Sequence, residues 1–89
     1  MALTVKKRVK FKSGHSTYLV GDGDVQKSSI GPSYHVTVYA RCDACAATRT
    51  YHLEFNTAKR ALSTDPRLPK RVHTWLTRHV RDIVYARAN

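Results

Sequence analysis

The chain has 89 residues, a mass of 10.1 kDa and a formal net charge of +10, from 16 Lys and Arg against 6 Asp and Glu. So short a chain supports one small domain and excludes two cores or the large enclosed cavity that most cofactor enzymes need. Its 42% hydrophobic and 25% charged residues are those of a folding globular chain rather than a disordered tail.

Along the chain, Leu3, Val5, Val9 and Phe11 alternate with Lys6, Arg8, Lys10 and Lys12. This is the two-residue period of a strand with one apolar and one basic face, broken only by Lys7. A second strand is expected over residues 16–20, ending in the turn formers of residues 21–24, and residues 28–33 form another turn-rich stretch. Residues 34–41 and 48–55, rich in β-branched and aromatic side chains, predict a hairpin with Cys42 and Cys45 at its tip. If those cysteines close the turn, partners sum to 87. Tyr34 then faces Leu53, Val36 faces Tyr51 and Val38 faces Arg49 on the core side, while His35 faces His52 and Thr37 faces Thr50 on a polar side.

Asn56 is expected to cap a short helical turn over residues 57–62. A long helix follows, with Pro66 or Pro69 in its first turn, and runs to about residue 86. At 100° per residue, Leu68, Val72, Trp75, Leu76, His79 and Ile83 share one apolar stripe, with Val80 and Val84 at its edge. Arg67, Lys70, Arg71, Arg78 and Arg81 gather on the opposite side as a cationic ridge. The fold class expected is therefore α+β: an antiparallel sheet of three to four strands with a zinc-knuckle-like CxxC hairpin, packed against a long C-terminal helix, in a single domain over residues 1–89.

The sharpest chemical signal is Cys42 and Cys45, since a two-residue gap lets both thiolates of a tight turn point at one Zn2+. Redox chemistry and free thiols are the rival readings, although a thioredoxin-like cysteine sits at a helix N-terminus and this pair joins two strands. Of the five histidines, His35 and His52 each lie seven residues along a strand from the nearer cysteine, roughly 23 Å, which is too far for one metal. His79, on the apolar stripe, is the preferred third ligand. His73 precedes it by six residues, about 120° around and 9 Å along a regular helix, so a shared metal requires a distorted helix. His15 and a water are the alternatives for the fourth position.

These residues resemble small zinc-finger-like proteins of actinobacteria and their phages and plasmids, in which a CxxC hairpin precedes a helix with Trp-x3-His and a second histidine six residues later. Cys42, Cys45, Trp75 and His79 match that pattern, and Tyr85 stands where the second histidine would be. The resemblance implies a zinc site that includes Cys42, Cys45 and His79.

Charge supplies the other signal. Residues 1–12 carry five basic groups and no acid, residues 13–56 three against four, and residues 57–89 eight against two. The helix ridge and the strand face of Lys6, Arg8, Lys10 and Lys12 are each suited to tracking phosphates, and Tyr39 to stacking on a base. Six scattered carboxylates, with no phosphate loop or nucleophile elbow, leave catalysis without a constellation. The expected function is non-enzymatic nucleic-acid binding, with zinc as the expected cofactor. The alternative is a phage- or plasmid-type accessory protein that binds an acidic host protein. The absence of an apolar span or signal-like stretch predicts a cytoplasmic chain with no membrane partner, and the edge of residues 3–11 offers a surface for a homodimer.

Overall fold

A computed structural model describes residues 4–12, 14–43 and 47–88. The architecture is α+β, an antiparallel sheet with a C-terminal helix across one face. The strands are β1 (Thr4–Phe11), β2 (Gly14–Gly21), β3 (Val25–Lys27), β4 (Ser33–Cys42), β5 (Thr48–Asn56) and β6 (Ala61–Leu62), and the helix is α1 (Lys70–Ala88). The strand order is β1-β2-β4-β5-β6, with β3 also paired to β4. β2 and β3 lie end to end beside β4, the first opposite its C-terminal half and the second opposite Tyr34, His35 and Val36. A single 3-10 turn, Asp22–Asp24, separates them, and there the Gly21 N–H donates to Asp24 Oδ2 at 2.8 Å.

Among the described residues the sheet has six strands where three to four were expected. The additional ones, β3 and β6, are three and two residues long, too short to show a period in sequence. β6 also replaces the last two residues of the helical turn expected over residues 57–62. Asn56 Oδ1 does accept from the N–H groups of Ala58 and Lys59, at 2.9 and 3.1 Å. The turn then stops at Arg60, whose φ of 53° reverses the chain so that Leu62 pairs with Phe55. Leu62, only 4% exposed, is buried through the sheet rather than through a helix.

The β4–β5 register also differs from the expected one. Partners sum to 89, so Tyr34 lies opposite Phe55, Val36 opposite Leu53, Val38 opposite Tyr51 and Ala40 opposite Arg49. On the other side His35 meets Glu54 and Thr37 meets His52, not His52 and Thr50. The loop is longer than a cysteine-closed turn, with the Cys42 N–H donating to the Ala47 carbonyl at 3.1 Å. A two-residue shift preserves the face of every side chain, and it brings Phe55 into the ladder.

Pro69 immediately precedes α1, and its carbonyl accepts from the N–H groups of Val72 and His73, both at 3.0 Å. Proline there sacrifices no helical hydrogen bond. Val72, Leu76 and Val80 are fully buried, with Ile83 and Val84 beside them, against Val20, Val25, Val36, Val38 and Phe55 of the sheet. The buried stripe therefore centres on Leu76 and Val80. Trp75 and His79 are half-buried on its flank, contrary to the expectation that His79 lies mid-stripe. Among the described residues, no helix is long and apolar enough to cross a membrane.

Leu76→Ala is expected to remove about 2–5 kcal/mol of stability in urea unfolding, because it opens a cavity between helix and sheet. Thr50→Ala, on the exposed face of β5, is expected to change it by less than about 0.5 kcal/mol.

Candidate nucleic-acid interface

Side chains alternate across a strand, so the side of the sheet that turns away from α1 is fixed by the parity of the core residues. On that open face β1 contributes Lys6, Arg8 and Lys10, all exposed, at intervals of about 6.8 Å. Directly across from them on β2 stand Leu19, Thr17 and His15. β4 follows with Tyr39 opposite Leu19 and Arg41 opposite Thr17, and β5 closes the rows with Thr50 and Thr48. Tyr39 is 40% exposed and is one of the large apolar side chains presented to solvent. Three edge cations thus lie two strands, about 10 Å, from an exposed ring and the Arg41 guanidinium, with Leu19 as an apolar floor between.

Arg8 Nη2 pairs with Asp43 Oδ2 at 3.1 Å, with both side chains exposed. Such a pair is worth little in water, so Arg8 can exchange the carboxylate for a phosphate at small cost. Lys12 is exposed in the turn that follows β1.

The helix ridge does not join this face. α1 packs on the opposite side of the sheet, and its exposed Lys70, Arg78 and Arg81 point away from β1's cations. Arg67 and Arg71 leave the ridge altogether. Arg67 donates Nε–H to Asp65 Oδ1 at 3.2 Å and Nη2–H to Asp65 Oδ2 at 2.9 Å, with its guanidinium 5.4 Å from the Tyr51 ring centroid. Arg71 Nη2 donates to the Lys10 carbonyl at 3.1 Å and lies 5.8 Å from the Phe11 centroid. The nine cations singled out in sequence therefore divide into an open sheet face, a helix ridge and two arginines folded against the sheet.

Of the zinc ligands expected from sequence, Cys42, His73 and His79 lie within the described residues. Among the described residues no three His, Cys, Asp or Glu side chains come close enough to hold a metal. His73 Nε2 is 2.9 Å from the Leu62 carbonyl, and His79 packs edge-on to Trp75 at 5.0 Å. Leu62 pairs with Phe55, which stands opposite Tyr34, eight residues along β4 from Cys42, or roughly 26 Å of strand. Cys42 is disulfide-bonded rather than a thiolate, and Cys45 lies outside the described residues.

Sequence reasoning passed over Arg49, Tyr18 and Tyr51, which border an open cavity of about 300 Å³ on the helix side of the sheet. The signal was present in Arg49, a charged residue with the same parity as Tyr51, Leu53 and Phe55. Comparison with protein-family models, curated proteins and solved structures returns no match, so the resemblance to zinc-finger-like proteins draws no support from them.

The Arg67 hydrogen bonds hold the Asp65 carboxyl below its ordinary value of 3.8. A depressed carboxyl stabilises the fold above its unfolded pKa, and that contribution disappears as pH falls through the folded value. Asp65→Asn is therefore expected to lower Tm at pH 7, and the gap from the parent is expected to close toward pH 2. A gap that persists undiminished at pH 2 would refute the charge argument.

Proposed function

We propose that this protein is a non-enzymatic nucleic-acid-binding domain that holds a single strand along its open sheet face. Lys6, Arg8 and Lys10 contact consecutive phosphates, while Tyr39 stacks on a base and Arg41 assists it. The observation that supports this reading is the pairing of a cationic edge strand with an exposed aromatic ring about 10 Å away across an uncovered sheet. Single-strand binders combine those two elements, a charged track for the backbone and a ring that accepts any base. The net charge of +10 adds long-range attraction, and Asp43 and Glu54 are the acids nearest the track on that face.

Two substitution sets separate the parts of this reading. The triple variant Lys6→Ala, Arg8→Ala, Lys10→Ala is expected to lower the slope of log K against log salt by about 2 for a labelled single strand, at about 0.7 per lost phosphate contact. Tyr39→Ala is expected to weaken binding by about 1–3 kcal/mol with the salt slope unchanged. The pair Arg78→Ala, Arg81→Ala, on the helix ridge, serves as the control of similar charge loss and is expected to leave affinity within a few-fold of the parent. Fluorescence anisotropy across a salt series reads all three. If the ridge pair abolishes binding and the triple variant does not, the interface is misassigned. If the parent protein binds no nucleic acid at low salt, the function is, and an acidic protein becomes the partner to seek.

A further inference from the structure

At the N-terminal end of α1, toward Cys42, the inner side of the sheet is covered by the Arg67 and Arg71 side chains in place of the helix. The cavity of about 300 Å³ lies there, and its walls include Phe11, Ser16, Tyr18, Arg49, Tyr51 and Arg67. This volume is at the lower end of small-molecule sites. The polar groups that face it are nearly all donors. Arg67 has committed two N–H groups to Asp65 and has three left, and Arg49 makes no ion pair among the described residues. Arg71 stands over Phe11 at the rim.

The Tyr18 hydroxyl is the meeting point of these charges. Burial, reinforced by Tyr51, raises its pKa above 10.0 against the opposing pull of Arg49 and Arg71. It is therefore an O–H donor at neutral pH, 5% exposed as a residue, and neither it nor the Tyr51 hydroxyl is hydrogen-bonded among the described residues. Among the described residues no Asp or Glu lines the cavity, and Asp65 offsets one of the three guanidinium groups. An open, concave site with unanswered positive charge and unused hydroxyl donors favours an anion that can accept several hydrogen bonds at once.

We infer that this cavity binds a phosphate monoester, with Arg49 and Arg67 gripping the phosphate oxygens and the Tyr18 and Tyr51 hydroxyls donating to it. Phe11 and Ala40 form the apolar wall for whatever the phosphate is attached to. The site lies on the opposite side of the sheet from the strand-binding face proposed above and stands or falls independently of it. The shared chemistry is that of a terminal phosphate, supplied either by a free nucleotide or by the 5′-phosphorylated end of a strand.

The test is a titration of the folded chain with 5′-AMP, followed by amide and side-chain NMR shifts, with adenosine as the uncharged control. Saturable shifts at Tyr18, Arg49 and Tyr51, at least tenfold weaker in Arg49→Ala and a few-fold weaker in Tyr18→Phe, are expected. Arg49 is exposed, so its truncation leaves the core intact, and an unchanged Tm verifies that. Lys6→Ala, Arg8→Ala, Lys10→Ala is expected to leave 5′-AMP binding unaltered, so loss of the sheet-face reading does not disturb this one. A tenfold preference for a 5′-phosphorylated over a 5′-hydroxyl oligonucleotide assigns the phosphate to a strand end, and equal binding of the two assigns it to a free nucleotide. The inference is overturned if 5′-AMP does not saturate by 10 mM, if adenosine binds as tightly, or if Arg49→Ala binds as well as the parent.

Discussion

Val36, Val38 and Ala40 project to one side of β4, and His35, Thr37, Tyr39 and Arg41 to the other. Everything else in the molecule is arranged around that alternation. β4 pairs with β2 and β3 along one edge and β5 along the other, so its parity dictates which side chains of three neighbours reach the core. A slip of one residue would bury Arg41 and Tyr39 and expose the valines, which the hydrophobic cost forbids. A slip of two is permitted by parity and is decided instead by which residues the loop leaves free to pair. The observed register puts Val25, Val36 and Leu53 in one row and Tyr18, Ala40 and Arg49 in another.

The second constraint is coverage. One helix lies over a sheet of six strands, and its buried stripe reaches Val20, Val25, Val36, Val38 and Phe55. The end of the sheet near Cys42 lies beyond its first turn. There the chain closes the inner face with arginines rather than with a second helix. Arg67 covers Tyr51, and Arg71 covers Phe11. A guanidinium stacked on a ring shields apolar surface while keeping its charge. The same device that completes the core therefore also leaves a cationic cavity.

The distribution of charge follows from this packing. A net charge of +10 in so small a domain is self-repelling, and the fold keeps its cations on opposite sides of a body whose shortest extent is 19 Å. Two ion pairs tie cations to neighbouring turns. Asp65 anchors Arg67 in the turn before α1, and Asp43 meets Arg8 at the hairpin tip. β1 is an edge strand, and its run of Lys and Arg also discourages pairing with other exposed edges.

Sequence alone determined the alternation of β1, β4 and β5 and the apolar stripe of α1, because those patterns repeat over eight residues or more. It also determined the basic character of β1 and the exposure of Tyr39, which follow from parity. It did not reveal β3 or β6, whose few residues gain strand geometry only from the partner beside them. Nor could it fix the register of β4 on β5, since two-residue shifts are equivalent in pattern. Tertiary structure decided which cations act together. Helical periodicity places Arg67 and Arg71 beside Arg78 and Arg81, yet aromatic rings and a carbonyl from distant strands draw the first two inward. Cys42 and His73, joined in the expected ligand set, are likewise held apart, because the Leu62 carbonyl of β6 occupies His73. Contacts between residues far apart in the chain made those choices, and no local period encodes them.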